Sequence, residues 1–210
     1  MSEMDLRSSG DEPRVFVVDD DASVLDSIRL LLESVGLRAQ TFLSASDFLE
    51  TFDPDVTGCL VLDVRMPGMS GVELQNVLRE RHATLPIIFL TAHGDVPMAV
   101  DAVKKGALDF IQKPFRDQDL LDRVQEAFRI HAERRRREAV RYEAEKRLTS
   151  LTPRERDVLE GVVQGKSNKR IARDLGISPR TVEIHRAHVM EKGEVSSVPE
   201  LVKLVLNARE

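Results

Sequence analysis

Cysteine, aromatic residues and long apolar stretches are all scarce in this sequence. Cys59 is the single cysteine among 210 residues, tryptophan is absent, and aromatic residues make up 4%. One cysteine excludes a disulfide within the chain, which fits a reducing compartment, and its place in an apolar run predicts a core residue. No apolar run approaches the roughly 18–20 residues of a membrane-spanning helix. Residues 1–13 are polar and acidic, unlike a signal peptide, so we expect a cytoplasmic location and no membrane partner.

Charge is distributed unevenly along the chain. Residues 14–128 contain 11 Lys and Arg against 19 Asp and Glu, whereas residues 129–210 contain 19 against 13. The apolar fraction of 41% and the charged fraction of 32% are ordinary for a globular protein of one or two domains. The acidic and basic parts indicate different partners, and nucleic acid is expected to bind the basic part.

Short apolar runs alternate with helical patterns along the first part of the chain. The runs are continuous rather than alternating, which is typical of strands buried on both faces of a parallel sheet. Five strand–helix repeats predict an α/β doubly wound, flavodoxin-like domain with a five-stranded parallel sheet. The predicted strands are 14–19, 38–42, 58–63, 85–91 and 108–113, and the predicted helices are 22–35, 45–51, 71–81, 97–105 and 117–130.

Acidic residues stand at the ends of two of these predicted strands. Asp19 and Asp20 follow the first strand, and Asp63 ends the third. Because ligands of open α/β sheets bind at the carboxyl ends of the strands, we expect these three carboxylates to meet. Like charges at such distances require a cation, and carboxylates with several waters suit Mg²⁺ or another divalent ion. Asp21 is instead predicted to cap the first helix.

Two further strand ends carry Thr91 and Lys113, so these side chains belong to the same edge of the sheet. Together with the carboxylates they predict a phosphoryl-accepting site, because phosphoryl transfer depends mainly on positioning and charge neutralisation. Asp63 is the predicted nucleophile, Lys113 would neutralise phosphoryl oxygens, and Thr91 would donate a hydrogen bond. An aspartate-dependent phosphatase needs an acid two residues after the nucleophile, where this chain has Arg65. We therefore expect no enzyme beyond slow autodephosphorylation.

In this order and spacing, Asp19-Asp20, Asp63–Gly68, Thr91-Ala92 and Lys113-Pro114 resemble the receiver domain of two-component response regulators. The resemblance covers residues 14–128. It implies that the aspartate at the end of the third strand receives its phosphoryl group from a sensor histidine kinase.

The same resemblance implies several finer roles. The backbone carbonyl of Arg65 would join the three carboxylates as a metal ligand, and Thr91 and Phe110 would form a switch pair that responds to phosphorylation. A surface built from the predicted helix 97–105 and the strand after it would pair two phosphorylated receivers in a homodimer. The dimerisation residues implied by the resemblance are Val100, Lys104 and Asp109.

Residues 129–147 form a highly charged connector with four consecutive arginines at 134–137. Oppositely charged residues spaced by four favour a solvated helix that extends the preceding one. A coiled coil would need apolar a and d positions, which are missing. The arginines could contact DNA phosphates, but the interleaved glutamates favour a helical linker. Residues 1–13 are expected to form a disordered tail.

Residues 148–210 are predicted to form four short helices. Thr152 and Glu155 have the spacing of a capping box, Ser167 caps the next helix, and Gly176 ends it before Ser178 caps a third. A helix, a short turn with glycine and a second helix form a helix-turn-helix, whose second helix enters the DNA major groove. A helical protein adaptor is the alternative.

The second helix of this motif is predicted to bury Val182, His185 and Val189 on one stripe. On the opposite stripe, Ile184 and Ala187 suit thymine methyl groups, and Glu183 could accept a hydrogen bond from cytosine. The predicted phosphate contacts are Lys169, Arg170, Arg180, Thr181 and Arg186.

These motifs resemble the LuxR-type helix-turn-helix, and with the receiver motifs the chain resembles FixJ-type regulators. The resemblance implies a phosphorylation-activated transcriptional regulator that binds double-stranded promoter DNA and contacts RNA polymerase. One departure is Gly193, where the family usually has a large apolar residue. Glycine there is expected to end the second helix early and to weaken the packing of the final helix, with Leu201, Val202, Val205 and Leu206.

His185 and His188 are adjacent on one helical face, as zinc ligands often are. Because no cysteine or carboxylate stands near them in sequence, the pattern predicts core packing for His185 and no zinc site.

Overall fold

The structure is a computed structural model that describes residues 12–92, 100–101 and 103–209. These residues pack into two compact units, and the boundary between the units falls after Arg134.

The first unit alternates strands and helices. Its strands are β1 (Arg14–Val18), β2 (Arg38–Phe42), β3 (Gly58–Asp63), β4 (Ile87–Thr91) and β5 (Asp109–Gln112), and its helices are α1 (Ala22–Ser34), α2 (Ala45–Thr51), α3 (Gly71–Glu80) and the beginning of α4 (Asp117–Thr149). All strands are parallel, in the order β2-β1-β3-β4-β5. The chain reverses its direction of winding at β1, so the predicted doubly wound, flavodoxin-like sheet is confirmed.

Helices cover both faces of the sheet. Phe16 and Leu60 pack on one face in a cluster with α2 and α3, whereas Val17 and Val61 pack on the other face with α1 and α4. This two-sided burial explains why the apolar runs of β1 and β3 are unbroken in sequence. Cys59 is fully buried within β3, and burial raises the pKa of its thiol, so its prediction as a core residue is confirmed.

The predicted helix 97–105 lies partly outside the described residues. Positions 100, 101, 103 and 104 are helical, and Gly106 follows with a φ of 105°. Gly36 follows α1 with a φ of 78°. Both glycines therefore adopt the left-handed region just after a helix, as the sequence predicted.

The second unit contains four further helices, α5 (Pro153–Val163), α6 (Asn168–Leu175), α7 (Pro179–Lys192) and α8 (Val198–Asn207). Thr152 and Glu155 form the predicted capping box of α5, and Ser167 and Ser178 cap α6 and α7. Gly176 adopts a left-handed conformation with a φ of 67° between α6 and α7. The predicted helix-turn-helix is therefore confirmed.

The end of α7 differs in detail from the expectation for Gly193. Gly193 is buried in a right-handed conformation as the C-cap, and the left-handed residue is Glu194, with a φ of 52°. A Cβ at Gly193 would lie 3.0 Å from the carbonyl oxygen of Val189, so the position has little room for a side chain.

The expected weakening of the final helix is not observed. Leu201 and Val205 of α8 are buried in the core of the second unit, together with Leu204. Leu206, which was expected to pack there, is 53% exposed because it lies on the opposite face of α8. The predicted core set of this helix was wrong at that residue.

Helix α4 is continuous over 33 residues, so residues 129–147 are helical as expected. Ion pairs spaced by four along it include Arg129–Glu133 at 3.3 Å and Arg141–Glu145 at 3.6 Å. None of the helices among the described residues is both long and apolar enough to cross a membrane.

Candidate functional site

The carboxylates of Asp19 and Asp63 come together at the carboxyl edge of the sheet. Asp63 is the last residue of β3, and Asp19 directly follows β1. Val18 pairs with Leu62 in the register of these adjacent strands, which brings the two aspartates side by side. Their residues are 1% and 8% exposed, so both carboxylates are held where water screens charge poorly.

Lys113 joins these two carboxylates. Its Nζ donates to Asp19 Oδ2 and to Asp63 Oδ1, each at 2.6 Å. The backbone positions the lysine, because its N–H donates to the carbonyl oxygen of Thr91 at 2.8 Å immediately after β5. The peptide bond between Lys113 and Pro114 is cis. Three polar groups from three strand ends thus form one hydrogen-bonded cluster.

The remaining oxygen of Asp63 is held by the chain itself. Asp63 Oδ2 accepts a hydrogen bond from the backbone N–H of Arg65 at 2.7 Å, which orients the carboxylate. Burial raises the pKa of Asp63, and the hydrogen bond and charge of Lys113 offset only part of that rise. Burial lowers the pKa of Lys113, but its two carboxylate partners outweigh burial and raise it. One ammonium therefore does not fully compensate the buried negative charge at Asp63.

Asp20 and Asp21 have different surroundings from Asp19. Asp21 is the N-cap of α1, where its side chain accepts from the N–H of Ser23 at 2.8 Å, as predicted. Its own N–H donates to Asp19 Oδ1 at 3.0 Å. Asp20 is exposed.

The structure therefore brings together two of the three predicted metal carboxylates. Asp19, Asp20 and Asp63 are all described, yet they do not form a set whose ligand atoms all lie within 4.8 Å of one another. The expectation that all three meet in one small cavity was wrong for this conformation. The reason is that the ammonium of Lys113 takes one oxygen from Asp19 and one from Asp63.

Thr91 and Phe110 lie on neighbouring strands. Thr91 ends β4, is fully buried and donates its hydroxyl to the carbonyl oxygen of Ala92 at 3.2 Å. Phe110 pairs with Phe89 across β4 and β5 and is half-buried against the core. The segment 93–99, which contains His93, lies outside the described residues.

The predicted dimerisation residues lie near the surface of the first unit. Val100 is 38% exposed and Lys104 is exposed. Asp109 is half-buried, and its Oδ2 forms an ion pair with Nε of Arg123 at 2.8 Å.

Helix α7 of the second unit presents one buried and one exposed stripe. Val182 and Val189 are buried, whereas Ile184 is 48% exposed, an unusual position for an isoleucine. The predicted base-contacting residues Glu183 and Ala187 are exposed on the same side as Ile184. The helix therefore offers apolar and acidic groups to an external partner.

The predicted phosphate-contacting side chains are mostly exposed around this helix. Lys169, Arg170 and Arg180 are exposed, and Arg170 and Arg180 form ion pairs with acidic neighbours of their own helices, at 3.5 and 3.2 Å. Thr181 is half-buried, and Nη1 of Arg186 donates to Asn168 at 3.1 Å. Exposed cations on these two helices give the second unit a surface suited to a polyanion.

Two neighbours of functional residues escaped the sequence analysis. Glu155, predicted only as a capping residue, lies beside His185 and His188, so the expectation that these histidines lack a carboxylate was wrong. Thirty positions separate Glu155 from His185, and no local signal links them. Gly71 packs so closely on Asp63 that a Cβ would lie 2.1 Å from its carbonyl oxygen.

Comparisons with known families match both units. Residues 15–125 match the response regulator receiver domain, and residues 149–205 match the bacterial regulatory proteins of the luxR family.

Relatives match nearly the full length of the chain. The transcriptional regulatory protein FixJ of Azorhizobium caulinodans is 50% identical over 194 residues, which cover 92% of each chain. The response regulator protein TodT of Pseudomonas putida is 42% identical over 95% of this chain and 88% of its own. Among solved structures, the response regulator StyR superposes with a TM-score of 0.83 at 49% identity, covering 93% of this chain and 98% of StyR. Full-length FixJ from B. japonicum gives a TM-score of 0.60 at 44% identity, covering 95% and 98%.

Proposed function

Because this chain belongs to the response regulators with a receiver domain and a LuxR-type DNA-binding domain, which are phosphorylation-activated transcriptional regulators, we propose that Asp63 is its phosphoacceptor. The observation that carries this assignment is the position of the Asp63 carboxylate, which ends β3 within 2.6 Å of Lys113. A histidine kinase and DNA are the partners implied by the family. The receiver domain extends over residues 14–128, the linker over 129–147 and the DNA-binding domain over 148–210.

The proposed transfer moves one phosphoryl group between two side chains. An oxygen of Asp63 attacks phosphorus as the bond from the kinase histidine nitrogen to phosphorus breaks, and the histidine retains the electron pair. Lys113 neutralises charge on the phosphoryl oxygens, and the hydroxyl of Thr91 turns from Ala92 to donate to one of them. Arg65 supplies no acid for rapid turnover, so the chain is not an enzyme in the usual sense, and water removes the phosphoryl group slowly.

Receiver domains generally bind Mg²⁺ at the phosphorylation site, and the donor chemistry here fits that ion. Asp19 and Asp63 are buried carboxylates, and Asp20 is an exposed carboxylate next to them. The raised pKa of Asp63 indicates that its ionised form lacks compensating charge even beside Lys113. We assign these three carboxylates and the backbone carbonyl of Arg65 as ligands. When bound, the ion would add positive charge next to the phosphoryl oxygens.

Phosphorylation would be transmitted through Thr91 and Phe110. Movement of Thr91 toward the phosphoryl group leaves space beside β5, into which the half-buried ring of Phe110 can move. The surface with Val100, Lys104 and Asp109 then pairs with that of a second copy. Phosphorylation favours this dimer to the extent that it stabilises the paired conformation more than the unpaired one.

The paired regulator would bind promoter DNA through two copies of α7. Ile184, Ala187 and Glu183 contact base edges, while the neighbouring cations contact phosphates. Two half-sites about one helical turn (~34–36 Å) apart suit such a dimer. DNA binding places the protein in the cytoplasm, where it would contact RNA polymerase.

Asp63→Asn tests the assignment of the phosphoacceptor. We expect this variant to incorporate no acid-labile phosphate from acetyl phosphate and Mg²⁺, because the amide cannot form the acyl phosphate. Radiolabelled donor and gel analysis measure the incorporation. Asp26→Asn is the matched control, since Asp26 forms an exposed ion pair with Arg29 on α1 and should be labelled like the wild type. Retained label in Asp63→Asn would assign the phosphoryl group to another residue.

A further inference from the structure

A second group of potential metal ligands lies within the DNA-binding unit. Glu155 on α5 and His185 and His188 on α7 have ligand atoms that all lie within 4.8 Å of one another. Among residues 12–92, 100–101 and 103–209, this is the set of three side chains that meets that distance. The two histidines are three residues apart on α7, so their side chains lie on the same face of the helix.

The spacing of this group is already close to that of a coordinated ion. Nδ1 of His188 lies 3.5 Å from Oε1 of Glu155. Two ligands of a tetrahedral zinc ion, with bonds of about 2.0–2.1 Å, are about 3.3 Å apart. A small inward movement would therefore bring these two atoms to coordination distance.

The carboxylate of Glu155 is fixed and ionised. Its Oε2 accepts hydrogen bonds from the N–H of Thr152 at 2.8 Å and from Nζ of Lys192 at 2.7 Å, which leaves Oε1 toward His188. The hydrogen bond from Lys192 is the main reason that the pKa of Glu155 falls to about 2. A metal ligand held in place and already deprotonated binds without a large ordering cost.

A separate observation comes from His185. Its Nδ1 is buried and makes no hydrogen bond with the part of the chain that the structure describes. Buried polar atoms are rarely left unsatisfied, and where the protein offers no partner a bound ion or water usually satisfies them. His188, by contrast, has a side chain that is 52% exposed, so an ion and a water ligand can enter from solvent.

We propose that Glu155, His185 and His188 bind a zinc ion that joins α5 to α7. Two imidazole nitrogens and one carboxylate oxygen suit Zn²⁺, whereas Mg²⁺ prefers oxygen ligands. Water completes the coordination. The ion fixes the DNA-contacting helix against α5, and the site is independent of the phosphorylation of Asp63.

Calorimetric titration of the full chain with Zn²⁺, in excess Mg²⁺, tests this site. We expect one zinc ion per chain for the wild type. His188→Gln should weaken binding by about tenfold or more, because even residues behind metal ligands account for 10–100-fold in affinity. His82→Asn is the control, since His82 is exposed in the first unit and its φ of 55° suits asparagine. This variant should bind as the wild type does.

Two further measurements distinguish this site from zinc uptake at the phosphorylation site or through unfolding of the variant. The visible absorption of bound Co²⁺ should show ligand-field bands that His188→Gln removes, and far-UV circular dichroism should show that this variant remains folded. Asp63→Asn should keep the His188-dependent ion. Equal uptake by wild type and His188→Gln would overturn the proposal, as would the absence of binding or a loss of the ion only in Asp63→Asn.

Discussion

At the residue scale, Asp63 has one cationic partner, which it shares with Asp19. Lys113 contacts both carboxylates at 2.6 Å, and burial still raises the pKa of Asp63. A phosphoryl group adds further negative charge at the same place. Lys113 alone therefore cannot balance the phosphorylated site, which is the physical reason to expect a divalent cation beside it.

Glu155 presents the opposite electrostatic situation. Hydrogen bonds from Lys192 and from the backbone of Thr152 lower its pKa from 4.5 to about 2. Because the folded-state pKa lies below that of the unfolded chain, the ionised carboxylate stabilises the fold above about pH 4.5. That contribution is lost as the pH falls toward about 2.

Lys192→Met makes this contribution measurable. At pH 6 we expect the variant to be less stable than the wild type by about 1 kcal/mol, the usual net value of an intramolecular hydrogen bond. The difference should shrink as the pH is lowered from 4.5 toward 2, because Glu155 becomes protonated in both proteins. Denaturant unfolding followed by circular dichroism at several pH values measures it. A difference that is constant with pH would show that Lys192 acts through packing alone.

At the scale of elements, the start of α3 is built against the phosphoacceptor. Gly71 is the first residue of α3, and its N–H donates to the carbonyl oxygen of Val64 at 3.1 Å. A Cβ at this position would lie 2.1 Å from the carbonyl oxygen of Asp63. The close approach of helix and strand end therefore requires glycine, although its backbone is not left-handed.

Gly71→Ala should disturb the site as well as the fold. We expect a loss of about 1–3 kcal/mol in unfolding free energy from overpacking. We also expect a lower rate of labelling by acetyl phosphate, since the backbone of Asp63 must move. Gly161→Ala is the matched control, because its Cβ would lie 2.7 Å from Ile171 in the second unit. It should lose stability but keep the wild-type labelling rate, and equal rates in both variants would contradict the local effect.

Helix α7 is also best understood as an element with two different stripes. Its buried stripe packs Val182 and Val189 into the core, and its exposed stripe carries Ile184. An exposed isoleucine contributes nothing to folding, whereas it can contact thymine methyl groups. The same helix thus serves packing on one side and recognition on the other.

At the scale of the whole molecule, the acidic and basic parts of the chain coincide with its two functions. Residues 14–128 carry an excess of acidic groups, as a site for a cation and a phosphoryl group requires, and residues 129–210 carry an excess of basic groups. DNA binding by the basic part should depend steeply on salt, because each phosphate contact releases counterions.

Lys169→Ala and Lys203→Ala distinguish specific phosphate contacts from general charge. Both lysines are exposed, on α6 and α8 respectively, and both substitutions remove one charge. We expect Lys169→Ala to weaken binding to random duplex DNA and to reduce the slope of log K against log salt by about 0.9. Lys203→Ala should leave the slope unchanged. Fluorescence anisotropy over a range of salt concentrations provides the measurement, and equal slopes would remove Lys169 from the interface.

Most of the fold could be predicted because its signals are local. The unbroken apolar runs identified the strands, and residues such as Gly36, Thr152 and Ser178 marked helix ends by their capping chemistry. Predictions were wrong where packing at a distance matters. Leu206 has the same apolar character as its buried neighbours but lies on the other face of α8, and Gly193 has a backbone conformation determined by the space around it.

The sequence by itself determined the order of strands and helices, the residues at the strand ends and the charge of each part, because these depend on nearest neighbours along the chain. Only the tertiary structure decided which groups touch. It placed Lys113 between Asp19 and Asp63, left Asp20 exposed and brought Glu155 to the histidines of α7. Such contacts join segments far apart in sequence, and packing of the whole chain sets their distances.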